Sequence, residues 1–314
     1  MEIRYLSHGV TETGGYRHEL FLAQELHRAL HQSTFVLLRQ RKIFSSLNHT
    51  KLQWWAFKNA NAAILVITVR LALVTLLRNA FTNNRIYIVL HNYDEKDRKP
   101  KILALYYFLL FNVISCFHKR VRVVAVAPFF QAYFEQKLKR KIYLFPNFFD
   151  TSLLSKFKTP NKQNRIHLGQ WSTKNSGDVF DLAQRLTNQG IHCYFSTLDA
   201  RLAQRKDHYE IVSFDRYESY LVYMAESKFT LAFPAINEGW NRVAHESVLV
   251  GTTVIGFKKG GLGNLLEEST MFMVDHYDEA LKIILEDKHA ETSLQFIAKY
   301  DIKNANTFTS KMLA

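Results

Sequence analysis

Two glutamates eight residues apart, Glu238 and Glu246, frame the stretch best equipped for chemistry: Phe233-Pro234-Ala235-Ile236-Asn237-Glu238-Gly239-Trp240-Asn241-Arg242-Val243-Ala244-His245-Glu246. The pattern predicts a strand ending near 233, a glycine-containing loop carrying Glu238, and a helix that starts near Asn241 and carries Glu246. Eight residues is not the spacing of a simple helical pair. A carboxylate aimed from such a helix into a cleft would accept hydrogen bonds from vicinal hydroxyls. Each would contribute roughly 1–3 kcal/mol because it is charge-assisted. The free amides at the start of the helix would favour a nearby phosphate. The same spacing also fits an ordinary solvated glutamate on a helix.

Two glycine-rich turns flank this stretch, Gly169-Gln170-Trp171-Ser172-Thr173-Lys174-Asn175-Ser176-Gly177 and Lys258-Lys259-Gly260-Gly261-Leu262-Gly263-Asn264. Each follows an apolar run and precedes a helical one. Glycine lets backbone approach a ligand closely, and lysine supplies a point charge for phosphate. Neither turn is a GxxxxGK[ST] loop or a GxGxxG, and a simple turn is the commoner meaning of each alone. In the first half, Gly14-Gly15 precedes a helical pattern, and His91-Asn92 follows the apolar run 85–90. Cys116 and Cys193 lie far apart, fit no metal spacing and form no disulfide framework.

The elements that must position these residues alternate along the chain. Runs at 3–6, 34–38, 62–69, 85–90, 122–126 and 141–145 read as strands, with helices at 17–30, 71–77, 102–117 and 130–138 between them. After a polar, proline-containing segment at 151–164 the alternation restarts. Strands are expected at 165–168, 191–196, 229–233 and 253–257, and helices at 178–186, 217–225, 242–250 and 278–285. Such alternation implies parallel sheets covered on both faces, with ligands outside the carboxyl ends of the strands. The expected organisation is an amino-terminal domain over 1–150, a linker over 151–164 and a carboxy-terminal domain over 165–314. The last residues are expected to pack back on the first domain.

A chain of 314 residues with 47% hydrophobic and 14% aromatic side chains can fill two cores. Its net charge of +13 is carried by residues 1–150, with 22 Lys and Arg against 9 Asp and Glu; residues 151–314 hold 19 of each. That asymmetry suggests that one lobe faces something anionic, or else a merely solubilising surface. Nucleic acid is disfavoured: no zinc spacing, helix-turn-helix pattern or RNP-like strand accompanies the charge. The apolar segments at 64–77 and 102–117 fall short of the roughly 20 residues that span a bilayer. No signal-peptide pattern opens the chain. A cytoplasmic protein, peripheral on the inner face of the cell membrane, is the expected placement.

Taken together, these motifs resemble the nucleotide-sugar domain of GT-B glycosyltransferases, in particular glycosyltransferase family 4. The resemblance rests on Gly169 to Lys174, on Glu238-Gly239-Trp240 with Glu246, on Gly251-Thr252-Thr253-Val254-Ile255, and on Gly260-Gly261. More weakly, Gly14-Gly15, His91 and Phe145-Pro146-Asn147-Phe148-Phe149-Asp150 are similar to amino-terminal motifs of that family. Phe148 stands where the family usually has glycine, and Gln170 where it commonly has a phosphate-binding arginine. The resemblance implies a GT-B fold, two Rossmann-like domains facing each other across a cleft. It implies a retaining, metal-independent transfer from a nucleoside-diphosphate sugar to a hydroxyl of a glycan or glycolipid, with no further cofactor. It implies donor contacts from Gly14, Gly15, Gly169, Gln170, Lys174, Asn237, Glu238, Gly239, Trp240, Asn241 and Glu246. Lys174 would neutralise the diphosphate, helped by Lys258, Lys259 or Arg242. Glu238 would contact the donor sugar, Glu246 the ribose, and His91 would lie beside the reacting sugar. A sugar-nucleotide epimerase or phosphorolytic enzyme of the same fold, and a non-catalytic sugar-nucleotide-binding protein, are the rival readings.

Overall fold

The computed structural model describes residues 2–7, 14–31, 33–39, 63–79, 82–91, 101–116, 120–171 and 177–314. The chain divides into two compact units, Met1–Asn147 with Asn304–Ala314, and Phe148–Lys303.

In the first unit the described elements run β1 (Glu2–Ser7), α1 (Gly14–Ala29), β2 (Thr34–Arg39), β3 (Ile64–Thr68), α2 (Val69–Arg78), β4 (Arg85–Leu90), α3 (Lys101–Cys116), β5 (Val121–Ala125), α4 (Pro128–Leu138) and β6 (Tyr143–Leu144). The strands form one sheet in the order β2-β1-β3-β4-β5-β6, and every pairing is parallel. Ile64, Leu65, Val66 and Ile67 are all fully buried, as expected of a strand covered on both faces. Pro128 opens α4, where its fixed φ suits a first helical turn and its missing N–H is not needed. The carboxy-terminal helix, Ala305–Leu313, packs on α1, and the Tyr87 hydroxyl reaches the Met312 carbonyl.

The second unit contains α5 (Thr151–Leu154), β7 (Gln163–Gln170), α6 (Asp178–Thr187), β8 (His192–Thr197), β9 (Gln204–Arg205), β10 (Glu210–Ser213), α7 (Tyr217–Ala225), β11 (Ser227–Ala232), α8 (Arg242–Leu249), β12 (Thr253–Phe257), α9 (Gly260–Ser269), β13 (Phe272–Val274), α10 (Tyr277–Leu285) and α11 (Leu294–Lys299). The terminal helix of the first unit is α12. The second sheet is ordered β13-β12-β11-β7-β8-β10-β9, parallel except for β9 at its edge. Its core joins Ile166, Leu168, Phe195, Phe229, Leu231 and Ile255 to the helices through Leu182, Leu186 and Ile284.

Both sheets reverse their winding beside their first strand: between β1 and β3 in one, between β7 and β11 in the other. Ligands of open α/β sheets bind outside the carboxyl ends of the strands at such a switch point. In the second unit that point lies between Gly169-Gln170 and the loop after β11.

Three segments differ from the pattern read in the sequence. Residues 151–164 include α5 and a 3-10 turn at Ser155–Phe157, with Leu154 buried, and they belong to the second unit. The glycine turn at 260 is already the first turn of α9. Its glycines weaken the helical signal, each costing about 1 kcal/mol relative to alanine, while buried Leu262, Leu265 and Leu266 hold the helix in place. The edge pair β9 and β10 is too short and polar to show a period. Among the described residues, no helix is long and apolar enough to cross a membrane.

Candidate active site

The loop after β11 is tied down at both ends by the residues that follow it. Asn241 is the N-cap of α8: its Oδ1 accepts from the Ala244 N–H at 2.8 Å, satisfying one of the orphan amides of the first turn. Its other side-chain atom, Nδ2, donates to Glu238 Oε2 at 2.6 Å. A single asparagine therefore starts the helix and orients the glutamate three residues earlier. On the far side, the Gly261 N–H donates to the Glu238 carbonyl at 2.8 Å, and Lys259 Nζ donates to the Pro234 carbonyl at 3.1 Å. Gly260 has φ +58°, and a Cβ there would run into the Glu238 carbonyl oxygen. The glycine pair and the Glu-Gly-Trp loop are one latched unit at the carboxyl edge of the sheet.

Gly169 sits across the same switch point. It has φ +88°, and a Cβ would lie 3.3 Å from the Leu231 carbonyl of β11, so glycine serves both the turn and the close approach of β7 to its neighbour. Gln170 follows, exposed, at the end of β7. Lys174 and residues 172–176 lie outside the described residues.

Glu246 is 3% exposed, which excludes the solvated-helix reading of this residue. Its Oε1 accepts from the Tyr217 hydroxyl and from Arg242 Nε, both at 2.8 Å. Arg242 lies one turn before Glu246 on α8, and its guanidinium stands 4.7 Å over the Phe149 ring. Burial first, and then the Glu246 charge, push the phenols of Tyr217 and Tyr220 above their ordinary range. Both tyrosines stay protonated donors beside a carboxylate.

Trp240 turns inward. Its indole N–H donates to His245 Nδ1 at 2.9 Å, and its ring lies 4.7 Å from that of Tyr300. The side chain is buried and anchors the loop from beneath. Burial, followed by the charge of Arg242, pushes His245 well below its ordinary range, so it is neutral and accepts through Nδ1.

In the first unit, Gly14 and Gly15 form the first turn of α1. His91 follows β4 at its carboxyl end and keeps 29% of its side chain exposed. Its Nε2 lies 2.9 Å from Oε1 of Glu19, a buried residue of α1. The Tyr5 hydroxyl donates to the other oxygen of Glu19 at 2.9 Å. His18 stands edge-on to His91 at 5.2 Å, with its Nε2 2.7 Å from the Phe145 carbonyl. Sequence reasoning passed over Glu19, Tyr5, Tyr217 and Tyr220. The spacing of 217 and 220 on one helix face is the only local signal any of them carries.

Among the described residues, no group of three or more His, Cys, Asp or Glu side chains is placed to hold a metal ion. The residues at the two switch points are hydrogen-bond donors and acceptors, set by glycine backbone and a few buried carboxylates.

The chain is similar in structure to HepE of Anabaena, solved in complex with UDP and glucose and with UDP-glucose. The TM-score is 0.73 at 15% identity, over 100% of this chain and 99% of that one. Sucrose-phosphate synthase of Thermosynechococcus elongatus matches with a TM-score of 0.69 at 11% identity, over 99% of this chain and 98% of that one. A glycosyltransferase of Rickettsia africae matches at 0.66 and 14% identity, over 99% and 97%. No protein-family model matches the chain, nor does any curated protein sequence. The likeness is therefore one of fold. The chain has the GT-B fold, with two Rossmann-like α/β units in tandem.

Proposed function

We propose that this protein is a glycosyltransferase that moves a sugar from a nucleoside-diphosphate sugar to a hydroxyl of a glycan or lipid-linked glycan. The observation that carries the reading is the latched Glu238 loop at the switch point of the second sheet, held by Asn241 and Gly261. It orients a carboxylate at the switch point, the position at which open α/β sheets bind their ligands. Glu238, with Asn237, Gly239 and Asn241, faces the donor sugar, and Trp240 holds the loop. Gly169, Gln170 and Lys174 take the diphosphate, where fixed donors stabilise the charge that develops on the leaving group. Glu246, oriented by Tyr217 and Arg242, takes the ribose hydroxyls. His91 and the Gly14-Gly15 turn contribute from the amino-terminal half. The reaction retains anomeric configuration and needs no metal, as in family 4. The basic amino-terminal half rests on the cytoplasmic face of the membrane, where a lipid-linked acceptor is available.

The structural likeness to HepE, solved with UDP-glucose, makes that compound the first donor to try. The purified protein is offered UDP-, GDP-, dTDP- and ADP-sugars, with and without EDTA, and released nucleoside diphosphate is measured. Release from one donor, undiminished by EDTA, is the expected result. Absence of both release and binding with every donor would overturn the assignment, and an isomerised nucleotide sugar would mark an epimerase instead.

A further inference from the structure

We infer that Glu19 is the positioning residue for His91, fixing its ring as the Nε2–H tautomer so that Nδ1 faces a substrate hydroxyl as a hydrogen-bond acceptor. The inference rests on the proposal that His91 works in the active site. Its geometry comes from three elements of the first unit. β1 supplies Tyr5, fully buried; α1 supplies Glu19, on the second turn after the glycine pair; and β4 delivers His91 at its carboxyl end.

Each Glu19 oxygen has one partner. Oε2 accepts from the Tyr5 hydroxyl at 2.9 Å, and Oε1 lies 2.9 Å from His91 Nε2. An ionised carboxylate only accepts, so the imidazole must present a proton at Nε2. In a neutral imidazole the other nitrogen then carries a lone pair, because the bond made by one ring nitrogen sets the role of its partner. Among the described residues, no Lys or Arg is bonded to Glu19. The Glu19 carboxylate lies against the His91 ring at Nε2 and holds the proton there, leaving Nδ1 to accept from a hydroxyl. Tyr5 fixes the rotation of the carboxylate, and His18, edge-on at 5.2 Å, limits the swing of the ring. Desolvation of a carboxylate is costly unless it is paired, so a buried glutamate bonded to a phenol and an imidazole points to a role for that pairing.

Two measurements test this. In wild-type protein carrying 15N-labelled histidine, long-range 15N–1H correlations at pH 8 are expected to show His91 as one Nε2–H tautomer. A predominant Nδ1–H form, or an even mixture, would overturn the inference. This readout needs no substrate, so it stands even if every sugar nucleotide proves inert and the proposed function fails. In the second, Glu19→Gln keeps volume and removes charge. It is expected to lower kcat at least about 10-fold, as loss of the hydrogen-bond partner that orients an imidazole does elsewhere, with donor KM changed less than about threefold. In a His91→Asn background the same substitution should change the rate less than about twofold, because Glu19 acts through that ring. Unchanged kcat in the single variant, or multiplicative losses in the double, would assign Glu19 to packing alone. Should Glu19→Gln fail to fold by circular dichroism, the wild-type tautomer decides.

Discussion

Gly260 lies against the Glu238 carbonyl so closely that any Cβ would collide with it, while the neighbouring Gly261 N–H donates to that same oxygen at 2.8 Å. Two motifs more than 20 residues apart in the chain thus share one backbone atom. A methyl group at 260 would have to push the Glu238 loop away and would also be strained at φ +58°. Gly260→Ala is expected to weaken donor binding at least tenfold. Gly190 supplies the control, with φ +75° and open space around it. Gly190→Ala should cost about 1 kcal/mol of stability through backbone strain alone and leave donor affinity intact. Calorimetric titration and thermal melts of both variants separate the two effects.

Glu246 shows how the environment decides what a substitution reports. Glu246→Gln keeps side-chain volume and one acceptor for Tyr217 while removing the charge that Arg242 faces. Donor affinity should fall about tenfold or more, in line with loss of a charge-assisted contact, and the melting temperature should move little. Glu246→Ala also strips the acceptor from a half-buried phenol and a largely covered guanidinium. That variant should lose about 2–4 kcal/mol of stability, measured by urea unfolding, besides its donor affinity. Equal stability of the two variants would show that the network does not hold α7 to α8.

These residues also mark how far the sequence could be read. The strands were legible because parallel strands buried on both faces are near-continuous apolar runs, as Ile64 to Ile67 are. The start of α8 was legible because asparagine before a helical run has a local capping chemistry. The turn at 260 was legible as glycine but not as the first turn of a helix, since its function is set by the Glu238 carbonyl rather than by its neighbours. Glu19 was invisible for the same reason. It meets His91 across 72 residues of sequence, and nothing in α1 sets it apart from Glu25. The tyrosine partners of Glu246 likewise come from a different helix, 29 residues away in the case of Tyr217. Local chemistry is written locally; a network between elements exists only after folding.

His167 gives a prediction for pH. It is fully buried in β7, stacked on Tyr194 at 4.8 Å, with Nε2 3.0 Å from Ser196 Oγ. Burial pushes its imidazole down to about 3. Between pH 6.5 and 3 the unfolded chain therefore binds a proton that the folded chain refuses, and stability falls as pH falls through that window. At pH 5 the loss relative to neutral pH is roughly 2 kcal/mol from this residue. His167→Phe, which keeps the stack and cannot titrate, should be less stable at pH 7 and should lose less on going to pH 5. Urea midpoints of both proteins at pH 7 and 5 check the sign. An equal acid-induced drop would place the sensitivity elsewhere.

The last prediction concerns α3 and the basic half of the chain. The helix buries Leu110, Phe111 and Ile114, and the Tyr106 hydroxyl donates to the Val69 carbonyl at 2.6 Å, so this face is core. The opposite face exposes Leu105, Leu109 and Phe108, the last at 64%. The aromatic residues within 102–117 therefore divide, with Phe111 facing inward and Phe108 outward. Lys137 and Lys139, at the end of α4, are exposed, and the Lys137 ammonium lies 5.4 Å from the Phe111 ring. An exposed apolar strip on a strongly basic half of the chain can insert shallowly while cations of that half meet anionic headgroups, each adding about 1 kcal/mol. The protein is therefore expected to co-sediment with anionic vesicles at low salt, to bind neutral vesicles weakly, and to be released at about 0.5 M salt. Phe108→Ser with Leu109→Ser removes exposed side chains only. It should leave the melting temperature in place and reduce vesicle binding about tenfold. Failure of the parent protein to bind strongly anionic vesicles at low salt would direct the search to soluble or protein-linked acceptors.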